Sequence, residues 1–135
     1  MKIMVDSNVL ISAALYHHGV VWSALREALS DNVVIVTAYV KAEVIRVAEL
    51  KFPERIDEVN ELINSDIFEQ ANPEYLKVEL DVSIRDIKDV PVYLSAKVLD
   101  VDILMTGDKD LFVLECDKPR ILSPAEYLFM VNKLA

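Results

Sequence analysis

Glycine is nearly absent from this 135-residue chain: only Gly19 and Gly107 occur. A Walker loop and a GxGxxG dinucleotide turn both need closely spaced glycines, so neither pattern is present. Cysteine is scarcer still. Cys116 alone excludes an intrachain disulfide framework and any multi-cysteine zinc site. The two histidines, His17 and His18, are adjacent and form no HExxH pattern. Long apolar runs are also missing: residues 33–40 form the longest, less than half of a bilayer-spanning helix. The first residues are apolar for only three positions before a charge, so no signal peptide is expected, and the setting is read as soluble and cytoplasmic. Positive charge is in deficit, with 14 basic against 23 acidic residues and a net charge of −9. Bulk attraction to nucleic acid or anionic membrane is therefore excluded. Nucleic acid as a substrate is not, because bound divalent cations invert a local field.

What remains is material for a core. Residues of the AVILMFWYC set make up 53% of the chain, far above what a disordered segment carries. The length fits a single domain over residues 1–135. Short β-branched runs alternate with longer helical patterns, which predicts an α/β fold with a central, largely parallel sheet. Strands are expected at residues 2–6, 33–36, 102–106 and 120–122, with a short edge strand at 67–70. The all-apolar run at 33–36 is the kind covered on both faces by crossover helices. Helices are expected from about residue 9, over 20–29, from a Thr37 cap to about 51, over 53–64 behind Pro53, and from Pro91 through Leu99. Shorter ones are expected at 73–81 and 109–114. Ser123-Pro124-Ala125-Glu126 reads as a capping box opening a last helix to about residue 133.

Acids fall where such a sheet would gather them. Asp6 ends the first strand, and Glu43 lies in the helix after the second. Asp89 stands just before the helix opened by Pro91, and Asp108 follows the strand ending at Thr106. In a parallel sheet the carboxyl ends of strands and the starts of the next helices share one rim, where ligands bind. Oxygen donors without His or Cys select Mg²⁺ or Mn²⁺ over zinc. Two such ions would balance four carboxylates and stabilise both oxygens of a phosphodiester displacement. Each acid also has a plainer reading. Asp6 could cap the helix after it, Glu43 could pair with Arg46, and Asp89 could be one more solvated charge of the Arg85-Asp86-Lys88-Asp89 cluster. Asp108 could be a turn residue, and Thr106 an ordinary strand end. The constellation outweighs the single positions.

Other candidates are weaker. The two histidines read as loop residues and Cys116 as a passive thiol. Trp22 and Tyr39 read as core rather than as a base-stacking platform. Arg26, Lys41, Arg46, Lys51 and Arg55 could line an RNA path or simply be solvated helix faces.

The sequence resembles the PIN-domain nucleases in three stretches and at its end. Met4-Val5-Asp6-Ser7-Asn8-Val9-Leu10-Ile11-Ser12-Ala13 looks like that family's first motif. Asp86-Ile87-Lys88-Asp89-Val90-Pro91-Val92-Tyr93-Leu94-Ser95-Ala96 looks like its third, and Asp102-Ile103-Leu104-Met105-Thr106-Gly107-Asp108-Lys109-Asp110-Leu111 like its fourth. Ile121-Leu122-Ser123-Pro124-Ala125-Glu126-Tyr127-Leu128 is typical of the end of the domain. The resemblance implies a three-layer α/β/α PIN-like fold and Mg²⁺- or Mn²⁺-dependent ribonuclease chemistry. It assigns the metal-binding and catalytic acids to Asp6, Glu43, Asp89 and Asp108, with Asn8 and Thr106 as supporting polar residues. Asp86 competes with Asp89 for the third place, where Asp89 is preferred, and Asp110 is a candidate further acid. Small members of the family are often VapC-type toxins, which implies an RNA substrate, an antitoxin partner and a homodimer. The alternative is a non-catalytic PIN scaffold that binds RNA or a protein. A haloacid-dehalogenase-type phosphatase needs an acid where Asn8 stands, and a receiver domain needs one where Ser7 stands.

Overall fold

The structure is a computed structural model that describes residues 1–134, with side chains through residue 132. Its elements follow in the order β1 (Lys2–Val5), α1 (Ser7–Leu15), α2 (Val20–Asp31), β2 (Val33–Thr37), α3 (Ala38–Lys51), α4 (Ile56–Ile63) and β3 (Glu69–Ala71). Then come α5 (Val90–Val98), β4 (Ile103–Met105), α6 (Lys109–Phe112), β5 (Arg120–Leu122) and α7 (Pro124–Leu134). Single 3-10 turns occupy Pro53–Arg55, Tyr75–Lys77 and Ile87–Asp89.

The five strands form one sheet in the order β3-β2-β1-β4-β5, and every pairing is parallel. The chain starts at the centre, steps outward through β2 to β3, then returns to β4 on the other side of β1. That reversal places a switch point between β1 and β4, and in open parallel sheets the ligand crevice lies there. Ile3 to Val5, Val34 to Val36 and Ile103 to Met105 are buried, as strands covered on both faces must be. Helices α1, α3 and α4 pack on one another, while α2 lies along α7. No helix among the described residues is long and apolar enough to cross a membrane.

Local chemistry explains most element boundaries. Thr37 accepts a hydrogen bond from the Val40 amide (3.3 Å) and starts α3 where expected. Ser123 and Glu126 bond reciprocally, at 2.9 and 3.1 Å, as the capping box predicts. The helix expected from about residue 9 starts earlier, at Ser7, because Asp6 caps it. The helix expected at 73–81 is reduced to the turn Tyr75–Lys77. Tyr75 packs against the core there, but Leu76, Val78 and Leu80 are exposed, too little burial to hold a longer helix down. This irregular stretch is pinned at Asp81, which accepts from the Tyr93 hydroxyl (2.8 Å) and pairs with Lys97 (3.7 Å) on α5.

Candidate active site

The ends of β1 and β4 are tied together by side chains from a few consecutive residues of each. Asp6, only 4% exposed, caps α1: its Oδ1 accepts from the Ser7 amide (2.8 Å). Its Oδ2 accepts from the Thr106 hydroxyl (2.7 Å). That hydroxyl accepts in turn from the Asp108 amide (3.0 Å). Asn8 accepts from the Gly107 amide (2.9 Å), and its own amide lies 3.5 Å from Thr106 Oγ1. A Cβ at position 107 would sit 3.3 Å from Asn8 Oδ1, so a larger residue there would push Asn8 back by a few tenths of an ångström. Asp6 is therefore both the cap of the plain reading and a rim acid.

Burial pushes the Asp6 carboxyl up, against the lowering effect of its bonds to Thr106 and Ser7; the Glu43 and Asp108 charges push it further up. The bonds of Ser7 to Glu43 and of the Asp108 amide to Thr106 bring both residues to the groups that Asp6 holds. Thr106→Val keeps the shape and removes the one hydroxyl that serves both Asp6 and Asp108. We expect a loss of about 1–3 kcal/mol in metal-free stability, the usual cost of stripping a buried acceptor of its donor. Denaturant unfolding of the two proteins measures it; an unchanged midpoint would show that the network contributes nothing.

Glu43 reaches the same rim from α3, where its Oε1 accepts from the Ser7 hydroxyl (2.6 Å). Ser7 is the one contributor that the sequence alone does not single out. The available signal was its place directly after Asp6, in the first turn of α1.

The remaining acids come from two caps. Asp86 accepts from the Lys88 amide (3.0 Å) at the start of the turn that leads into α5. Asp108 accepts from the Asp110 amide (2.9 Å) at the start of α6. Asp89 is 7% exposed, and its Oδ2 is buried with no hydrogen-bond partner. Burial first, then the close Asp108 carboxylate and the charges of Asp108, Asp86 and Asp6, push its carboxyl up to about 7. One oxygen each from Asp86, Asp89 and Asp110 lies within 4.8 Å of the others. Arg85, itself largely exposed, stands 3.6 Å from Asp110.

Asp6, Asn8, Glu43, Thr106 and Asp108 thus meet at the switch point, and Asp89 joins them through Asp108. Asp86 and Asp110, left open by the sequence, stand at Asp89 as well. Arg55, one of the basic residues of the first half, is committed elsewhere: it pairs with Glu58 (2.7 Å) and donates to the Leu15 carbonyl (3.0 Å). His17 lies in the loop after α1, stacked on Trp22 with centroids 4.6 Å apart.

The donors are oxygens of carboxylates, two of which, Asp6 and Asp89, are buried, and Asp89 Oδ2 has no hydrogen-bond partner. A hard divalent cation fits that set; zinc, with its preference for nitrogen and sulfur, does not.

No protein-family model matches the sequence, and no curated protein matches it significantly. Among solved structures the chain is similar to one in the crystal structure of VapBC2 from Rickettsia felis bound to a DNA fragment from its promoter. The match has a TM-score of 0.71 at 15% identity and covers 91% of this chain and 98% of that one. The three-layer α/β/α PIN-like fold expected from the sequence is the fold this chain has.

Proposed function

We propose that the chain is a metal-dependent endoribonuclease that hydrolyses RNA phosphodiester bonds, the toxin of a toxin–antitoxin pair. The observation that carries the reading is Asp89: a buried carboxylate with one unpartnered oxygen, grouped with the acids Asp86 and Asp110 and repelled by the charges of Asp108 and Asp6. Apolar burial alone gives no reason to gather these groups, since each added like charge costs free energy. A catalytic centre does.

In this reading Asp6, Glu43, Asp89 and Asp108 hold Mg²⁺ or Mn²⁺, with Asp86 and Asp110 within reach. Such ions supply Lewis-acid stabilisation of the charge that develops on phosphodiester oxygens. The chain's own residues provide the frame. Thr106 fixes the rotamer of Asp6 and the amide of Asp108, Asn8 locks the Gly107 peptide beside them, and Ser7 holds Glu43 toward the cleft. The likeness of fold to VapBC2 supports the toxin role and a protein antitoxin as partner. A homodimer is the simplest closed assembly for it, and the cytoplasm, where RNA is met, is its place of action.

The test is cleavage of single-stranded RNA with Mg²⁺ or Mn²⁺ and again in excess EDTA. We expect cleavage to require the metal and to vanish in EDTA. Cleavage undiminished by EDTA would overturn the metal role. RNA binding with no cleavage under any metal would make the chain a non-catalytic scaffold.

A further inference from the structure

The acid cleft has an apolar lip. Tyr39 lies four residues before Glu43 on α3, so the two share one helix face. Its hydroxyl donates to the Lys88 carbonyl (3.1 Å), on the turn between Asp86 and Asp89. Its ring meets that of Tyr75 edge-on, with centroids 6.4 Å apart. Burial, then the charges of Glu43, Tyr75, Asp89 and Asp86, raise the Tyr39 phenol, so the acids are its electrostatic neighbours. Leu76, 86% exposed, follows Tyr75 in the chain, and Ile87, 82% exposed, precedes the Lys88 whose carbonyl Tyr39 bonds. They are the two most exposed large apolar side chains of the described residues.

Single exposed apolar residues are ordinary. Two of them beside a pair of tyrosines, at the mouth of a charged cleft, are not. A chain of net charge −9 does not draw RNA by bulk positive charge, and the cations of this turn, Arg85 and Lys88, stand among acids, Arg85 3.6 Å from Asp110. Nucleobases offer the other handle, because every base has an apolar π-face that stacks on aromatic and aliphatic surface without regard to sequence.

Tyr39, expected in the core, is only half-buried against it. We propose that Tyr39, Tyr75 and Ile87 form a ledge that takes one unpaired nucleobase of a single-stranded RNA whose neighbouring phosphate enters the acid cleft. The proposal rests on the nuclease reading above for the identity of the occupant. A base held in a duplex is already stacked and cannot reach the ledge, so single-stranded RNA is preferred. The bond from Tyr39 to Lys88 couples the ledge to the turn that carries Asp86 and Asp89.

The experiment uses the full chain and a single-stranded oligoribonucleotide carrying 2-aminopurine, titrated in Ca²⁺, which takes the same class of oxygen donors. Stacking of the probe changes its fluorescence and reports binding without any turnover. We expect saturable binding that Ile87→Ala and Tyr75→Leu each weaken about tenfold, while Leu50→Ala, exposed elsewhere on α3, leaves it unchanged. The same sequence in a duplex should bind at least tenfold more weakly. No fluorescence change, equal binding by the two ledge variants, or equal binding of the duplex would each overturn the ledge. A fluorescence response without cleavage in Mg²⁺ or Mn²⁺ would leave the ledge standing and remove the nuclease. Cleavage without the response would do the reverse.

Discussion

Asp108→Asn is expected to lower metal-dependent RNA cleavage by a factor of about 100 or more while leaving the protein folded. The amide oxygen of asparagine can still accept from the Asp110 amide, so the start of α6 keeps its cap. What the substitution removes is one negative charge between Asp6 and Asp89, where both groups feel it. Lewis-acid stabilisation of a phosphodiester displacement amounts to several kcal/mol, and ~3 kcal/mol is already two decades in rate. Asp6→Asn should behave alike. Asn8→Ala should lose less, because a neutral side chain orients rather than binds the ion. Asp86→Asn and Asp110→Asn should fall between, since both stand at Asp89 but are partly open to solvent. Initial rates at saturating Mn²⁺, with circular dichroism on each variant, decide the order. Full activity in Asp108→Asn would remove this acid from the site.

The metal-free protein should behave in the opposite sense. In the unfolded chain the Asp89 carboxyl titrates near 3.8, and in the folded chain near 7. Between those values the native state binds more protons than the unfolded state, so stability falls as pH rises from about 4 to 7. Asp6, also raised, adds to the same trend. After sharing of charge among the neighbouring acids and screening by solvent, the loss by pH 7.5 is on the order of 1–2 kcal/mol. Asp89→Asn should recover it. In EDTA at pH 7.5 the variant should therefore unfold at higher temperature than the parent, and at pH 4 the gap should close. Saturating Mn²⁺ should stabilise the parent by mass action, by roughly 2.7 kcal/mol at a hundred times Kd, and reverse the ranking. Thermal melts of both proteins under the three conditions measure this. A variant that melts lower than the parent in EDTA at pH 7.5 would mean that Asp89 is held by a favourable bond in the metal-free fold.

The parts of this architecture that depend on neighbours in sequence were legible from it. The β-branched run 33–36, the Thr37 cap and the Ser123–Glu126 box are local signals, and the structure follows them. The stretch 73–81 misled because Leu76, Val78 and Leu80 suggest burial that tertiary packing never provides. The site divides the same way. Asp6 and Asp108 announce themselves at strand ends, whereas the meeting of Asp86 with Asp110 depends on how α5 and β4 return the chain. The bond from Ser7 to Glu43 likewise exists only once α1 has packed on α3. No spacing within one segment encodes such a contact.

The pairing of β1 with β4 has a consequence for the birth of the molecule. Lys2 bonds to Asp102, Asp6 to Thr106 and Asn8 to Gly107, so β1 and the start of α1 are completed by residues made about a hundred positions later. During synthesis β1 can pair with β2 early, but its other edge stays open until β4 leaves the ribosome. Until then Asp6 lacks the hydroxyl that orients it, and Asp108 does not yet exist. Long-range closure of this kind makes folding slow and late. Under the proposed nuclease function, a site completed in that order would be harmless to the ribosome and the message that are still making it.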